Sequence, residues 1–168
     1  MKRGILVLSL VLISILFISG CESQFSELSC SIENCDSPVC LDIQNVDTTD
    51  NTLDVCMTND LSIGGFQFEV LGVEVTGADG GISEELDFVV SNSPSTVLGF
   101  TLSGNYILQG EGILTMVSFN NPGDGICFSE VIISDSVGVE INGVDWGNCY
   151  CTIDGEIDLG CGCAEEDL

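Results

Sequence analysis

From Ile63 to Val70 the chain alternates: after Gly64-Gly65, Phe66, Phe68 and Val70 are apolar while Gln67 and Glu69 between them are polar. A period of two puts the apolar set on one face of a β-strand and the polar set on the other. A face carrying two phenylalanines needs a second layer to cover it. Past Val70 the parity changes, because Leu71, Val73 and Val75 become the apolar set around Gly72 and Glu74. One strand over 65–75, interrupted by a bulge near Gly72, is the expectation.

The same reading predicts strands near 41–46, 52–58, 65–75, 86–91, 96–102, 105–108, 112–119, 126–134 and 139–146. No convincing amphipathic helix is found. Leu53, Val55 and Met57 alternate with Asp54, Cys56 and Thr58, and Leu98, Phe100 and Leu102 alternate with Gly99 and Thr101, so each of these strands should have one wet face. The segments 112–119 and 131–133 are apolar on both parities, which predicts central or covered strands. Turn residues cluster at 47–51, 77–81, 103–105 and 120–125. Short strands with regular turn signals point to an all-β sandwich or barrel.

The ends of the chain read differently. Met1-Lys2-Arg3 and the apolar run from Ile5 to Phe17 have the basic start and short hydrophobic core of a secretory signal. Ile18-Ser19-Gly20-Cys21 closes that run and resembles the bacterial lipobox, whose cysteine is acylated and becomes the first mature residue. The expected organisation is a lipoprotein signal peptide over 1–20, a cysteine-containing tether over 21–40, a sandwich over 41–149 and an acidic cysteine-containing tail over 150–168. The protein should therefore be exported, lipid-anchored to the bacterial membrane and exposed at the cell surface, with the lipid as its sole contact with the membrane.

Charge narrows the chemistry. Lys2 and Arg3 both lie in the signal, leaving 27 Asp and Glu against no cationic side chain. Nucleic acid is excluded as a partner, since Lys and Arg supply that affinity. A basic protein surface or a divalent cation remains suitable, and self-repulsion costs stability unless counter-ions screen it. With no His, Lys or Arg in the mature chain, the commonest acid–base and nucleophilic routes are closed. Paired carboxylates about 5 to 9.5 Å apart would suffice for a glycoside hydrolase, but among so many carboxylates such a pair arises by chance. Asp47, Asp50 and Asp54 cluster at one turn and Asp154, Glu156 and Asp158 in the tail, and neither set follows the calcium-loop pattern. No catalytic residue, metal site or cofactor is expected, calcium being the one ion left open.

Ten cysteines in an exported chain favour disulfides. Cys149-x-Cys151 and Cys161-x-Cys163 could hold zinc as thiolates, but oxidation is the better reading of that spacing. Cys40 and Cys56 face outward from adjacent strands of one hairpin and are expected to bond; in one register they are opposed, in another a diagonal apart. Trp146 near the end of the last strand is the candidate sugar platform, against the alternative of a rim aromatic closing the sandwich.

Gly64-Gly65-Phe66-Gln67-Phe68, Thr76 to Gly81, Ser95 to Phe100, Gly110 to Leu114 and Ile126 to Ser129 resemble the cohesin-like domains of bacterial surface and secreted proteins, over about 41–149. The resemblance implies a nine-stranded jelly-roll β-sandwich that binds a dockerin module or another surface protein without catalysis. It is similar in fold to carbohydrate-binding modules, so carbohydrate binding is the alternative function, with polysaccharide as the partner; glycoside hydrolysis by paired carboxylates is a weaker alternative. It implies a Cys127–Cys149 disulfide, and a partner gripped by an outer sheet face formed by 65–75 and 96–102. Parity then names Gln67 and Glu69 on the first strand, and Val97 and Thr101 on the second with Gly99 as a flat spot. Mass spectrometry of the mature N-terminus should show an acylated Cys21; an unmodified Cys21 or a chain still starting at Met1 would remove the lipid anchor.

Overall fold

The computed structural model describes residues 30–152; the expected signal peptide, Cys21 and most of the expected tail lie outside them. The described strands are β1 (Val39–Asp47), β2 (Thr52–Asn59), β3 (Ile63–Leu71), β4 (Glu74–Asp79), β5 (Val89–Asn92), β6 (Thr96–Phe100), β7 (Gly110–Asn120), β8 (Gly125–Asp135), β9 (Val144–Trp146) and β10 (Tyr150–Cys151). A single helical turn, α1 (Gly81–Glu85), joins β4 to β5. They form a two-layer β-sandwich, with one sheet in the order β4-β7-β2-β1-β9 and the other β10-β8-β3-β6-β5. All neighbours are antiparallel except β1 and β9.

The parity change after Val70 is a change of sheet and not the expected bulge. β3 ends at Leu71 and β4 starts at Glu74 in the opposite layer, so Phe68, Val70 and Val75 all face the common core. Gly72 makes the corner at φ 83°, accepts the Gly123 N–H at 2.7 Å, and lies so close to Gly125 that a Cβ would strike its carbonyl oxygen. Two further expected strands shrink: within 105–108 only Ile107 pairs, with Ile63, and from 139–146 only Val144–Trp146 forms a strand.

The core is the interleaving of the two inner faces. Phe66, Phe68 and Val70 of β3 meet Leu41, Ile43, Leu53, Val55, Val117 and Phe119 from the other sheet. Phe68 packs edge-on against Phe128 with ring centres 5.3 Å apart. Phe66 is held between Phe68 and Phe88, at 6.0 and 6.2 Å.

On the outside of the first sheet, residues from Cys30 onward pack across β1 and β2. Cys30 is bonded to Cys56 and Cys35 to Cys40, and Gln44 Nε2 donates to the Ser31 carbonyl at 2.8 Å. The expected Cys40–Cys56 bond is therefore corrected. In the observed register Cys40 opposes Thr58 and Cys56 opposes Asp42, which leaves the two cysteines a diagonal apart, and each takes a partner from the covering segment. Cys127 is bonded to Cys149, tying β8 to the chain that enters β10, and Cys151 is also disulfide-bonded. Cys149 and Cys151 are thus not free thiolates for zinc.

Phe66 packs over Gly99, its register partner on β6, where an added Cβ would overlap the ring. Gly99→Ala should lower stability by about 1–3 kcal/mol through overpacking. Adding Phe66→Leu should recover part of that loss in a denaturant melt, whereas additive costs would show that the contact is not the cause.

Candidate functional site

The outer face of the second sheet follows from the register of β8, β3, β6 and β5. One row across it is Ile132, Gln67, Leu98 and Ser91; the next is Ser134, Gly65, Phe100 and Val89. A third carries Ser129, Glu69 and Thr96. Leu98 is 39% exposed, Val89 41% and Ile132 43%, so these apolar side chains stand in solvent on one surface. At Gly65 the absent side chain leaves a dip between Ser134 and Phe100, where a Cβ would come within 2.9 Å of Ser134 Oγ. The resulting depression has a volume of about 200 Å³ and is lined by Gln67, Leu98, Phe100, Ile132 and Ser134.

Of the four residues expected to bind a partner, the structure brings two together. Gln67 and Glu69 lie half-buried on this outer face. Val97 does not, being fully buried opposite Phe68, and this is a correction. Alternation that places Leu98 and Phe100 in the core inverts the parity of β6: because the Phe66 ring fills the space above Gly99, glycine occupies an inward position and its neighbours turn outward. Thr101 lies beyond the end of β6, where its hydroxyl is 3.2 Å from that of Ser103, so it is not a face residue of the strand. Leu98, Phe100, Ile132 and Val89 are the face residues that alternation missed. A usable signal was charge, since the chain carries no acidic residue from Phe88 to Gly110 although it has 27 in all.

The other candidates lie elsewhere. Trp146 is on β9 at the edge of the first sheet, beside a recess of about 110 Å³ that it shares with Ile32, Cys35, Cys40 and Asp145. Tyr106 is in the β6–β7 connection and Tyr150 on β10, so these rings do not share a face with Trp146. Asp47 Oδ1 accepts the N–H groups of Thr49 and Asp50 at 2.7 and 3.0 Å, which holds its carboxyl below the usual range and closes the β1–β2 turn. Asp54 Oδ2 accepts from Asn45 Nδ2 at 2.8 Å. Among the described residues no group of three or more acidic or cysteine side chains is placed to hold a metal ion. Asp154, Glu156, Asp158, Cys161 and Cys163 lie outside the described residues.

No family model matches the chain, and no curated protein matches its sequence. Solved structures do resemble it. A non-cellulosomal cohesin from the hyperthermophilic archaeon Archaeoglobus fulgidus is 15% identical, with a TM-score of 0.47 over 66% of this chain and 87% of that one. A type II cohesin domain from the cellulosome of Acetivibrio cellulolyticus is 12% identical, with a TM-score of 0.47 over 67% and 92%. A chain of a type I cohesin–dockerin complex from Clostridium thermocellum is 14% identical, with a TM-score of 0.47 over 69% and 93%.

Asp42, next to the Trp146 recess, offers a test of local electrostatics. Burial pushes its carboxyl above the ordinary value of 3.8, and hydrogen bonds from Gln44 and the Ile43 backbone only partly offset this. With the folded value raised, its contribution to stability is fully present below the unfolded value and is lost as pH rises through the folded one. Asp42→Asn should therefore melt higher than the parent at about pH 7, with the gap closing near about pH 4. A gap that persists at acid pH would assign the effect to packing.

Proposed function

We propose that this chain is a non-catalytic protein-recognition module, exported and held to a membrane by lipid on Cys21, that captures a surface or dockerin-type partner on the outer face of its second sheet. The observation that carries this reading is the group Val89, Leu98, Phe100 and Ile132 around the Gly65 dip. Binding needs surface that can be dried at low cost, ringed by polar groups that exclude water. On a body whose ionisable surface is carboxylate, an apolar face with Glu69 at its margin meets that need. The acidic surroundings would attract a basic partner and speed its approach, an effect that salt screens.

Leu98→Asp with Ile132→Asp should leave the melting temperature nearly unchanged, because both side chains are outside the core. Capture of the protein retained from a cell-surface extract by the parent should fall by about tenfold or more. Undiminished capture would move the site off this face. Elution by soluble glycan, together with loss of binding in Trp146→Ala, would instead favour the carbohydrate-binding reading.

A further inference from the structure

The open edge beside this face has a chemistry of its own. β5 ends its sheet, hydrogen-bonded to β6 alone among the described strands. Ser93 N–H donates to the Thr96 carbonyl at 2.8 Å, so by the alternation of an antiparallel ladder Ser91 and Val89 also bond to β6. Val90 and Asn92 then turn their N–H and C=O groups away from the sheet. Such an edge is normally blunted by charge, proline or a bulge. β5 reads Val-Val-Ser-Asn and has none of these.

The space beside it is a wedge. β4 is the edge strand of the other sheet, and the two edges are drawn together where Val75 N–H donates to the Pro94 carbonyl at 2.8 Å. Toward α1 they diverge around a recess of about 390 Å³, with Ala78, Phe88 and Val90 as its apolar lining and Asp79, Glu84 and Asp87 as its polar one. All three carboxylates are on exposed residues, and the mature chain has no Lys, Arg or His to neutralise them. A second copy of this chain would bring the same excess of negative charge to the edge. Charge complementarity selects a cationic occupant, and the free backbone groups select an extended one.

We propose that β5 accepts an extended segment of a partner protein as an added strand, pairing with the outward backbone groups of Val90 and Asn92 and placing a lysine or arginine in the recess between β4, α1 and β5. This site is separate from the outer-face site, because Val89 and Ser91 point to that face whereas Val90 lies opposite Gly99 on the inner side. The edge provides affinity through main-chain bonds, and the recess provides selectivity for a long basic side chain.

The probe is a fluorescein-labelled heptapeptide of alternating Val and Lys, with a Val/Glu version and a backbone N-methylated Val/Lys version as controls, measured by anisotropy against the full chain. The Val/Lys peptide should bind, the Val/Glu peptide should not, and N-methylation should abolish binding. Val90→Pro removes an N–H that β6 does not use, which edge strands tolerate, and should weaken binding about tenfold. Asp79→Asn with Glu84→Gln should weaken it and flatten its salt dependence. Leu98→Ser with Ile132→Ser, which adds no charge, should have no effect. Failure of the parent to bind, or equal binding of the N-methylated peptide, would overturn the proposal; so would unchanged affinity in a folded Val90→Pro variant. A parent dimer in sedimentation that Val90→Pro dissolves would give the edge to a second copy and equally overturn it.

Discussion

From residue 4 onward every structural solution has to work without a cationic side chain. All 27 Asp and Glu lie in that stretch and Lys2 and Arg3 precede it, so no side-chain salt bridge can form within it. The carboxylates that are held are held by neutral donors: Asn45 for Asp54, Gln44 for Asp42, and backbone N–H groups for Asp47. Cohesion then comes from apolar burial, sheet hydrogen bonds and cross-links, against a self-repulsion that compactness increases. Three of the disulfides fit that balance, because each ties a peripheral segment to a strand: Cys30 and Cys35 to β2 and β1, and Cys149 to β8. They limit the loosening of the parts that core packing reaches least.

Much of the architecture was legible where one physical effect dominated. The inward set Phe66, Phe68 and Val70 and the set Leu53, Val55 and Met57 follow directly from alternation, because each strand has one dry face. The reading failed where two effects competed. At Gly72 a parity change has two causes, an extra residue in one strand or a passage to the opposite sheet, and alternation does not distinguish them. At Gly99 an aromatic side chain from the neighbouring strand occupies the volume above a glycine, so the residue with no side chain is a core position. That substitution of one strand's side chain for another's is invisible until register is known, and it carried Val97 inward and Leu98 and Phe100 outward with it.

The cysteines show the same division. Cys40 and Cys56 share a face of one hairpin, as parity requires, and a register of Cys40 with Thr58 is enough to put them out of reach. Their partners come from a segment with few apolar residues, whose packing depends on the disulfides themselves and on the Gln44 contact to Ser31. Pattern carries little information about such a segment.

Charge also bears on where the proposed recognition would concentrate. A partner brought to most of this surface must displace water and counter-ions from carboxylates, a desolvation that a carboxylate without a paired cation repays poorly. From Phe88 to Gly110 that cost is absent, and the stretch contains β5 and β6, which supply five of the eleven outer-face row positions and the open edge of the sheet. β5 serves both surfaces through its two-residue period: Val89 and Ser91 extend the outer face, while Val90 lines the recess at the side. The surrounding carboxylates would act at longer range, drawing a cationic partner toward this region. Long-range attraction and short-range drying are thus supplied by different residues of the same acidic chain, and the uncharged hairpin is where they meet.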